Sequence, residues 1–130
     1  IEAQVNLDDL PAVWNDRYER YLGIRPDSDR NGVLQDVHWS AGLVGYFPTY
    51  TLGNIYAAQL MQAARSQLGD LDQQWRTGEF QPLLEWLRWN VHSYGRRLTA
   101  KELIRQATGA DVSSQPLVQY LQKKLDYVYY

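Results

Sequence analysis

The sequence predicts an all-α fold, a bundle of about five or six helices, on the strength of three observations. Apolar residues recur at spacings of three and four in several blocks, which is the period of a helix. Pro and Gly residues punctuate these blocks at positions where helices begin and end. No segment has the alternation of apolar and polar residues that is typical of a half-buried strand.

The first predicted helix begins near Asp8 and Asp9, because these acidic residues precede Pro11 in a first-turn pattern. Apolar residues then recur at helical spacing until Gly23, which is placed to end the helix. Residues 24–50 open with turn-forming side chains and carry Gly and Pro breaks among aromatic residues. We expect irregular backbone or a short helix there, and we take this segment as the candidate active-site region.

Two further helices are predicted in the middle of the chain. Residues 49–68 are apolar over a wide arc, which indicates a helix that is buried on more than one side. A short helix is expected between Asp70 and Gly78. A stripe of apolar residues then predicts a helix that Gly95 ends, and this stripe consists of Phe80, Leu83, Leu84, Leu87 and Val91.

The last two helices have recognisable starts. Thr99 with Glu102 is a capping-box pattern for a helix that Gly109 closes. Ser113 or Ser114 is placed to cap the final helix, whose apolar residues share one face: Leu117, Val118, Leu121, Leu125 and Val128.

The composition of the chain argues against several classes of function. A chain of 130 residues with 45% hydrophobic and 22% charged residues is expected to form a single globular domain, residues 1–130. A net charge of -2 without a Lys/Arg run argues against a nucleic-acid partner. The lack of Cys excludes disulfides and a catalytic thiol. No apolar run approaches the roughly 20 residues that span a membrane, so no membrane partner is expected.

The residues best suited to catalysis or ligand binding lie in the irregular segment. His38, Tyr46 and Tyr50 can each donate a hydrogen bond to a developing oxyanion. Asp36 stands two residues before His38 and can fix the tautomer of its imidazole, and Gln35 adds a further polar group. The competing interpretation is structural, because a single His beside a Trp more often serves packing than catalysis.

One motif in this segment is long and specific. Residues 32–39, Gly-Val-Leu-Gln-Asp-Val-His-Trp, match the Gly-x-x-Gln-Asp-x-His-Trp motif of the carboxypeptidase Taq family of metallocarboxypeptidases. Every fixed position agrees, and residues 46–50, Tyr-Phe-Pro-Thr-Tyr, resemble the family segment that follows. Weaker similarity extends over essentially the whole chain.

The resemblance implies the C-terminal portion of a larger helical zinc peptidase. Such an enzyme is a cytoplasmic hydrolase that removes C-terminal residues from peptide substrates. Its zinc, or another divalent metal, sits on a His-Glu-x-x-His helix, and this sequence has no such motif. The only two histidines, His38 and His92, lack ligand spacing, so no metal site is assigned here. The sequence also begins at Ile1, without Met. We therefore expect a piece of a longer protein that is inactive alone and needs the N-terminal part of the same protein.

The spacing of His38, Tyr46 and Tyr50 also resembles a segment of thimet-type zinc oligopeptidases, in which such residues face the metal. That resemblance implies catalytic roles for all three: His38 and Tyr50 donate to the tetrahedral oxyanion, and Tyr46 lines the cleft or touches the substrate carboxylate. Gln35 and Asp36 would bind substrate or orient His38. Removing one oxyanion donor typically costs about 2.7–4 kcal/mol of transition-state stabilisation.

Two other functions stay open from the residues alone. The chain could be a non-catalytic helical module that holds a peptide or partner helix in an aromatic groove. It could also be a regulatory or dimerisation domain in which His38 is enclosed and inert. Trp86 and Trp89 are expected on a second face of their helix, opposite Leu83 and Leu87, so a homodimer is expected if that face is exposed.

Overall fold

The structure, a computed structural model, describes residues 5–129, so both ends of the predicted 1–130 domain lie outside the described residues. Within this range there are six α-helices and no strands, which confirms the all-α prediction. The helices are α1 (Leu10–Leu22), α2 (Pro48–Leu68), α3 (Leu71–Arg76), α4 (Gln81–Asn90), α5 (Ala100–Thr108) and α6 (Gln115–Tyr129). In this part of the chain, no helix combines the length and apolar character needed to cross a membrane.

The described residues divide into two compact units, residues 5–48 and residues 49–129. In the first unit, α1 begins next to Pro11 and ends at Gly23, as the sequence predicts. Gly23 has a φ of 70°, and its N–H donates to the Glu19 carbonyl at 2.8 Å. A short 3-10 helix, Val33–Gln35, is followed by turns up to Pro48, where α2 begins.

The second unit has a small packed core. Its centre consists of buried residues from α2, α3, α4 and α5, namely Ala64, Leu71, Trp86 and Ala107. Partly buried apolar side chains surround this centre: Leu60, Met61, Ala63, Leu68, Trp75, Leu83 and Leu87. The alanines carry little side-chain volume, so the helices that bear them can approach closely.

The predicted helix starts of the second unit are confirmed. Asp70 Oδ1 accepts the Gln73 N–H at 3.0 Å at the start of α3. Thr99 and Glu102 form a complete capping box at the start of α5. Ser113 Oγ accepts the Gln115 N–H at 3.2 Å before α6.

Helix α4 differs from the prediction in its end and in its buried side. It ends at Asn90, and a 3-10 turn, His92–Tyr94, fills the distance to Gly95. The placement of Trp86 opposite Leu83 is wrong, because both side chains pack in the same core. Residues three apart on a helix lie on the same side. Trp89, by contrast, is 76% exposed.

A buried amide connects α2 to the segment before α6. Gln59 is buried, its Nε2 donates to the Asp111 carbonyl at 2.9 Å, and its Oε1 accepts the Ser113 N–H at 3.0 Å. Both polar ends of the side chain are therefore satisfied inside the unit, as a buried amide requires. This contact fixes the middle of α2 against the connection between α5 and α6.

Candidate active site

A close backbone approach positions the beginning of the segment. Gly32 is buried, and a Cβ on it would lie 2.9 Å from Asn15 Oδ1 and 3.1 Å from the Ser28 carbonyl oxygen. Both distances are shorter than ordinary contacts of a Cβ, so only glycine fits without displacing its neighbours. The first fixed residue of the motif thus has a steric reason to be glycine.

In this structure Gln35 forms hydrogen bonds to other residues of the same segment. Its Nε2 donates to the Arg30 carbonyl at 2.6 Å, and its backbone N–H donates to the Gly32 carbonyl at 3.0 Å. These two bonds close the turn that leads into Asp36. A substrate contact by Gln35 stays a prediction.

Asp36 and His38 form a close pair. Asp36 Oδ1 lies 2.7 Å from His38 Nδ1 and also accepts the His38 backbone N–H at 3.1 Å. The side chains are 9% and 16% exposed, respectively, so water competes little with this bond. Because an ionised carboxylate only accepts hydrogen bonds, Nδ1 must carry a proton when the carboxylate is ionised. The other ring nitrogen, Nε2, is then the atom through which His38 can act on a ligand.

Two aromatic rings pack on the imidazole of His38. The Tyr46 ring lies 5.4 Å away at an interplanar angle of 32°, and the Phe47 ring meets it edge-on at 5.5 Å. Backbone bonds from Leu43 to His38 (2.8 Å) and from Tyr46 to Leu43 (3.1 Å) turn the chain back toward the imidazole. Sequence reasoning did not single out Phe47, whose only signal was its position next to Tyr46.

The structure brings three of the predicted residues together, since Asp36, His38 and Tyr46 are in direct contact or packed ring on ring. Tyr50 belongs to the second unit and lies in the first turn of α2, with 54% of its surface exposed. On the described chain, neither the Tyr50 nor the His38 side chain is fully enclosed, since that of His38 is 16% exposed. The alternative of a regulatory domain with an inert His38 stays a prediction.

Residues 5–129 contain no group of three or more His, Cys, Asp or Glu side chains that could hold a metal ion. Asp36 and His38 supply two such groups, and His92 lies apart from them in sequence, exposed in its 3-10 turn. Because protein zinc sites need three or four ligands, these residues do not fit a metal centre of their own.

The segment presents apolar side chains to its surroundings. Its exposed apolar residues include Ile24, Leu34, Val37, Leu43, Val44 and Phe47.

Comparisons with known proteins agree on one family. Residues 1–125 match the family model described as carboxypeptidase Taq (M32) metallopeptidase. The chain is 45% identical over 127 residues to thermostable carboxypeptidase 1 of Thermus thermophilus, covering 98% of this chain and 25% of that protein. It is 44% identical over 126 residues to carboxypeptidase 1 of Bacillus subtilis, covering 97% of this chain and 25% of that protein.

A solved structure agrees with these relatives. The M32 carboxypeptidase from Deinococcus radiodurans matches with a TM-score of 0.90 and 40% identity, covering 96% of this chain and 25% of that one. The chain therefore spans about a quarter of the length of the relatives it matches.

Proposed function

The chain belongs to the carboxypeptidase Taq (M32) family of metallopeptidases, and we propose that it forms the C-terminal part of a metal-dependent carboxypeptidase. The complete enzyme would remove C-terminal residues from peptides, and this part would contribute hydrogen-bond donors to its cleft. The observation that carries the proposal is the Asp36–His38 pair, held inside the family motif with Tyr46 packed on the imidazole.

His38 is proposed as a charged hydrogen-bond donor. Since Nδ1–H donates to the Asp36 carboxylate, the neutral imidazole presents only a lone pair at Nε2. Donation from Nε2 to an oxyanion therefore requires the doubly protonated ring, in which Nδ1–H still donates to the Asp36 carboxylate. A charge-assisted bond of this kind is about twice as strong as a neutral one.

The tyrosines are proposed to supply neutral donors. Tyr50 would donate its phenolic proton to the same oxyanion, and Tyr46 would line the cleft or bind the carboxylate at the substrate's C-terminus. Both side chains are exposed on the described chain, which supports access by a ligand. Gln35 would hold the turn that aims Asp36, in line with its bond to the Arg30 carbonyl.

The metal ion, zinc or another divalent cation, is proposed to be held by residues of the parent protein outside this chain. We propose that this chain alone is inactive and that the N-terminal part of the same protein is its partner. A cytoplasmic location and a homodimer complete the proposal, the latter supported by the exposed Trp89.

The test replaces His38 by Ala in the complete protein. We expect kcat to fall by about 10²–10³, because one oxyanion donor is lost, while the metal content stays the same. His92→Ala is the matched control, since it removes the other, exposed histidine of the chain. Unchanged turnover in His38→Ala would remove His38 from the mechanism. Peptide binding without any hydrolysis by the wild type would instead favour the non-catalytic module.

Two substitutions of Asp36 distinguish the contribution of its negative charge from that of its hydrogen bond to His38. Asp36→Asn keeps an oxygen that can accept from His38, whereas Asp36→Ala removes the acceptor. We expect both variants to lower kcat more than they raise KM, with Ala the more severe. If Asp36 contacted substrate directly, KM would rise and kcat would change little.

A further inference from the structure

Asp36 holds the imidazole of His38 at its Nδ1 end. One carboxylate oxygen, Asp36 Oδ1, lies 2.7 Å from Nδ1 and accepts the His38 backbone N–H at 3.1 Å. A hydrogen bond at Nδ1 fixes one point of the ring, whereas the torsion that turns a histidine ring about its Cβ–Cγ bond has broad energy minima. The direction of Nε2, at the far side of the ring, therefore also depends on what packs against the imidazole.

The Phe47 ring packs on this imidazole at a different angle from the Tyr46 ring. The centroid of Phe47 lies 5.5 Å from that of the imidazole at an interplanar angle of 67°, whereas Tyr46 lies at 5.4 Å and 32°. Rings attract each other at such distances, and the edge-on geometry of Phe47 is one of the preferred arrangements. Because the two rings meet the imidazole at different angles, together they restrict its tilt more than either ring would alone.

The backbone on both sides of Phe47 is constrained. Gly45, two residues before it, has a φ of 78°, in the region that favours glycine. Pro48 follows directly and begins α2, and a proline disfavours helical backbone at the residue before it. Phe47 is 52% exposed, so the burial of an apolar side chain does not account for its position. Its contact with His38 does give the ring a role.

We propose that Phe47 is a positioning residue for His38. Its ring limits the tilt of the imidazole about the Nδ1 bond to Asp36 and thereby keeps Nε2 directed at the oxyanion. The oxyanion in this statement rests on the proposed function, whereas the restraint of the imidazole does not. The Phe47 side chain has no hydrogen-bonding group, so it acts through His38 and not by donating to the substrate.

Kinetics of the complete protein are the first test. Phe47→Leu keeps an apolar side chain but removes the ring, and it should lower kcat by about tenfold with KM nearly unchanged, because a slightly misplaced donor already costs rate. Phe47→Tyr keeps the ring and should retain most of the wild-type kcat. Phe80→Leu is the matched control, since Phe80 is the other Phe of the chain and is 60% exposed, and it should leave kcat unchanged.

Three kinetic results would overturn the proposal. A raised KM with unchanged kcat in Phe47→Leu would mean that the ring binds substrate and does not direct His38. A wild-type kcat and KM in Phe47→Leu would mean that the ring is dispensable. Equal losses of kcat in Phe47→Leu and Phe47→Tyr would mean that an aromatic ring at this position is not what matters.

Nuclear magnetic resonance of the complete protein separates this proposal from the proposed function. The Nδ1–H proton of His38 is identified as the resonance that disappears in His38→Gln. In Phe47→Leu this proton should exchange with water at least about tenfold faster, because an imidazole that tilts more breaks its bond to Asp36 more often. In Phe47→Tyr and Phe80→Leu its exchange rate should stay close to that of the wild type.

The exchange rate of this proton does not depend on peptidase activity. A wild type without carboxypeptidase activity that shows faster exchange in Phe47→Leu alone would refute the proposed function and support the restraint of His38. An unchanged exchange rate in Phe47→Leu would overturn the positioning role of Phe47, whatever the activity of the wild type.

Discussion

The two units of this chain hold their shape by different means. In the first unit, Val33 is the only apolar side chain that is buried among the described residues, and turns and side-chain hydrogen bonds order the motif. The second unit packs four helices around Leu71 and Trp86. The first arrangement presents polar atoms at defined positions, whereas the second provides stability. A site built on hydrogen bonds gains directionality and depends on other elements for its stability.

The largest expected effect is in the packed unit. Leu71 is fully buried, so Leu71→Ala should lower the free energy of unfolding by about 2–5 kcal/mol. Leu84→Ala is the control, because Leu84 is an exposed leucine on the neighbouring helix and should cost about 0.5 kcal/mol or less. Urea denaturation of this chain, followed by the circular dichroism of its helices, measures both. Equal losses would contradict the description of the second unit as packing-dominated.

A smaller effect is expected at the close approach in the first unit. Gly32→Ala would push against Asn15 and the Ser28 carbonyl and should cost about 1–3 kcal/mol. Gly53→Ala makes the matched change in α2, where nothing lies within 4 Å of the added Cβ. It should stabilise the chain by about 0.5–1 kcal/mol, because alanine is the better helix former. The same denaturation assay should show a loss of stability for Gly32→Ala and a gain for Gly53→Ala. A Gly32→Ala variant as stable as the wild type would contradict the close approach at Gly32.

The smallest effect depends on pH and concerns a hydrogen bond in the helical unit. Hydrogen bonds from the Thr99 hydroxyl and backbone N–H hold the pKa of Glu102 below its usual value. A carboxyl whose pKa is lower when folded stabilises above its unfolded pKa, and this contribution disappears as pH falls through the folded pKa. The stability difference between wild type and Glu102→Ala should therefore shrink on acidification.

Lys101→Ala is the reference for that titration. Lys101 is an exposed neighbour on α5 and carries no carboxyl, so its stability difference should stay flat in the acid range. A Glu102→Ala difference that grows at low pH would contradict the capping box as described.

The fold could be predicted well because its signals are local. Caps such as Thr99–Glu102 and the closing Gly23 involve residues within a few positions of one another, and the structure has them as expected. The side on which Trp86 packs was predicted wrongly, because the choice of buried side depends on the neighbouring helices. Propensity and spacing describe one helix and carry no information on its neighbours.

In the candidate site, too, the contacts between residues close in sequence could be predicted and the others could not. The contact of Asp36 with His38 follows from a separation of two residues in a turn. The bond from Gln35 to the Arg30 carbonyl could not be predicted, because its direction depends on irregular backbone dihedrals. Whether Tyr50 acts with His38 stays a prediction that the kinetics of the complete protein will decide.

The buried amide of Gln59 holds the middle of α2 in place, so the helix can tilt about this point. Tyr50 lies nine residues before Gln59 on the same helix, about 13.5 Å along its axis at the usual rise per residue. A tilt of only about 4° around that pivot would carry the Tyr50 end of the lever through about 1 Å. If Tyr50 donates to the oxyanion as proposed, a substitution at Gln59 would lower the rate by displacing the Tyr50 phenol, because misplacement by that distance can cost about a hundredfold in rate.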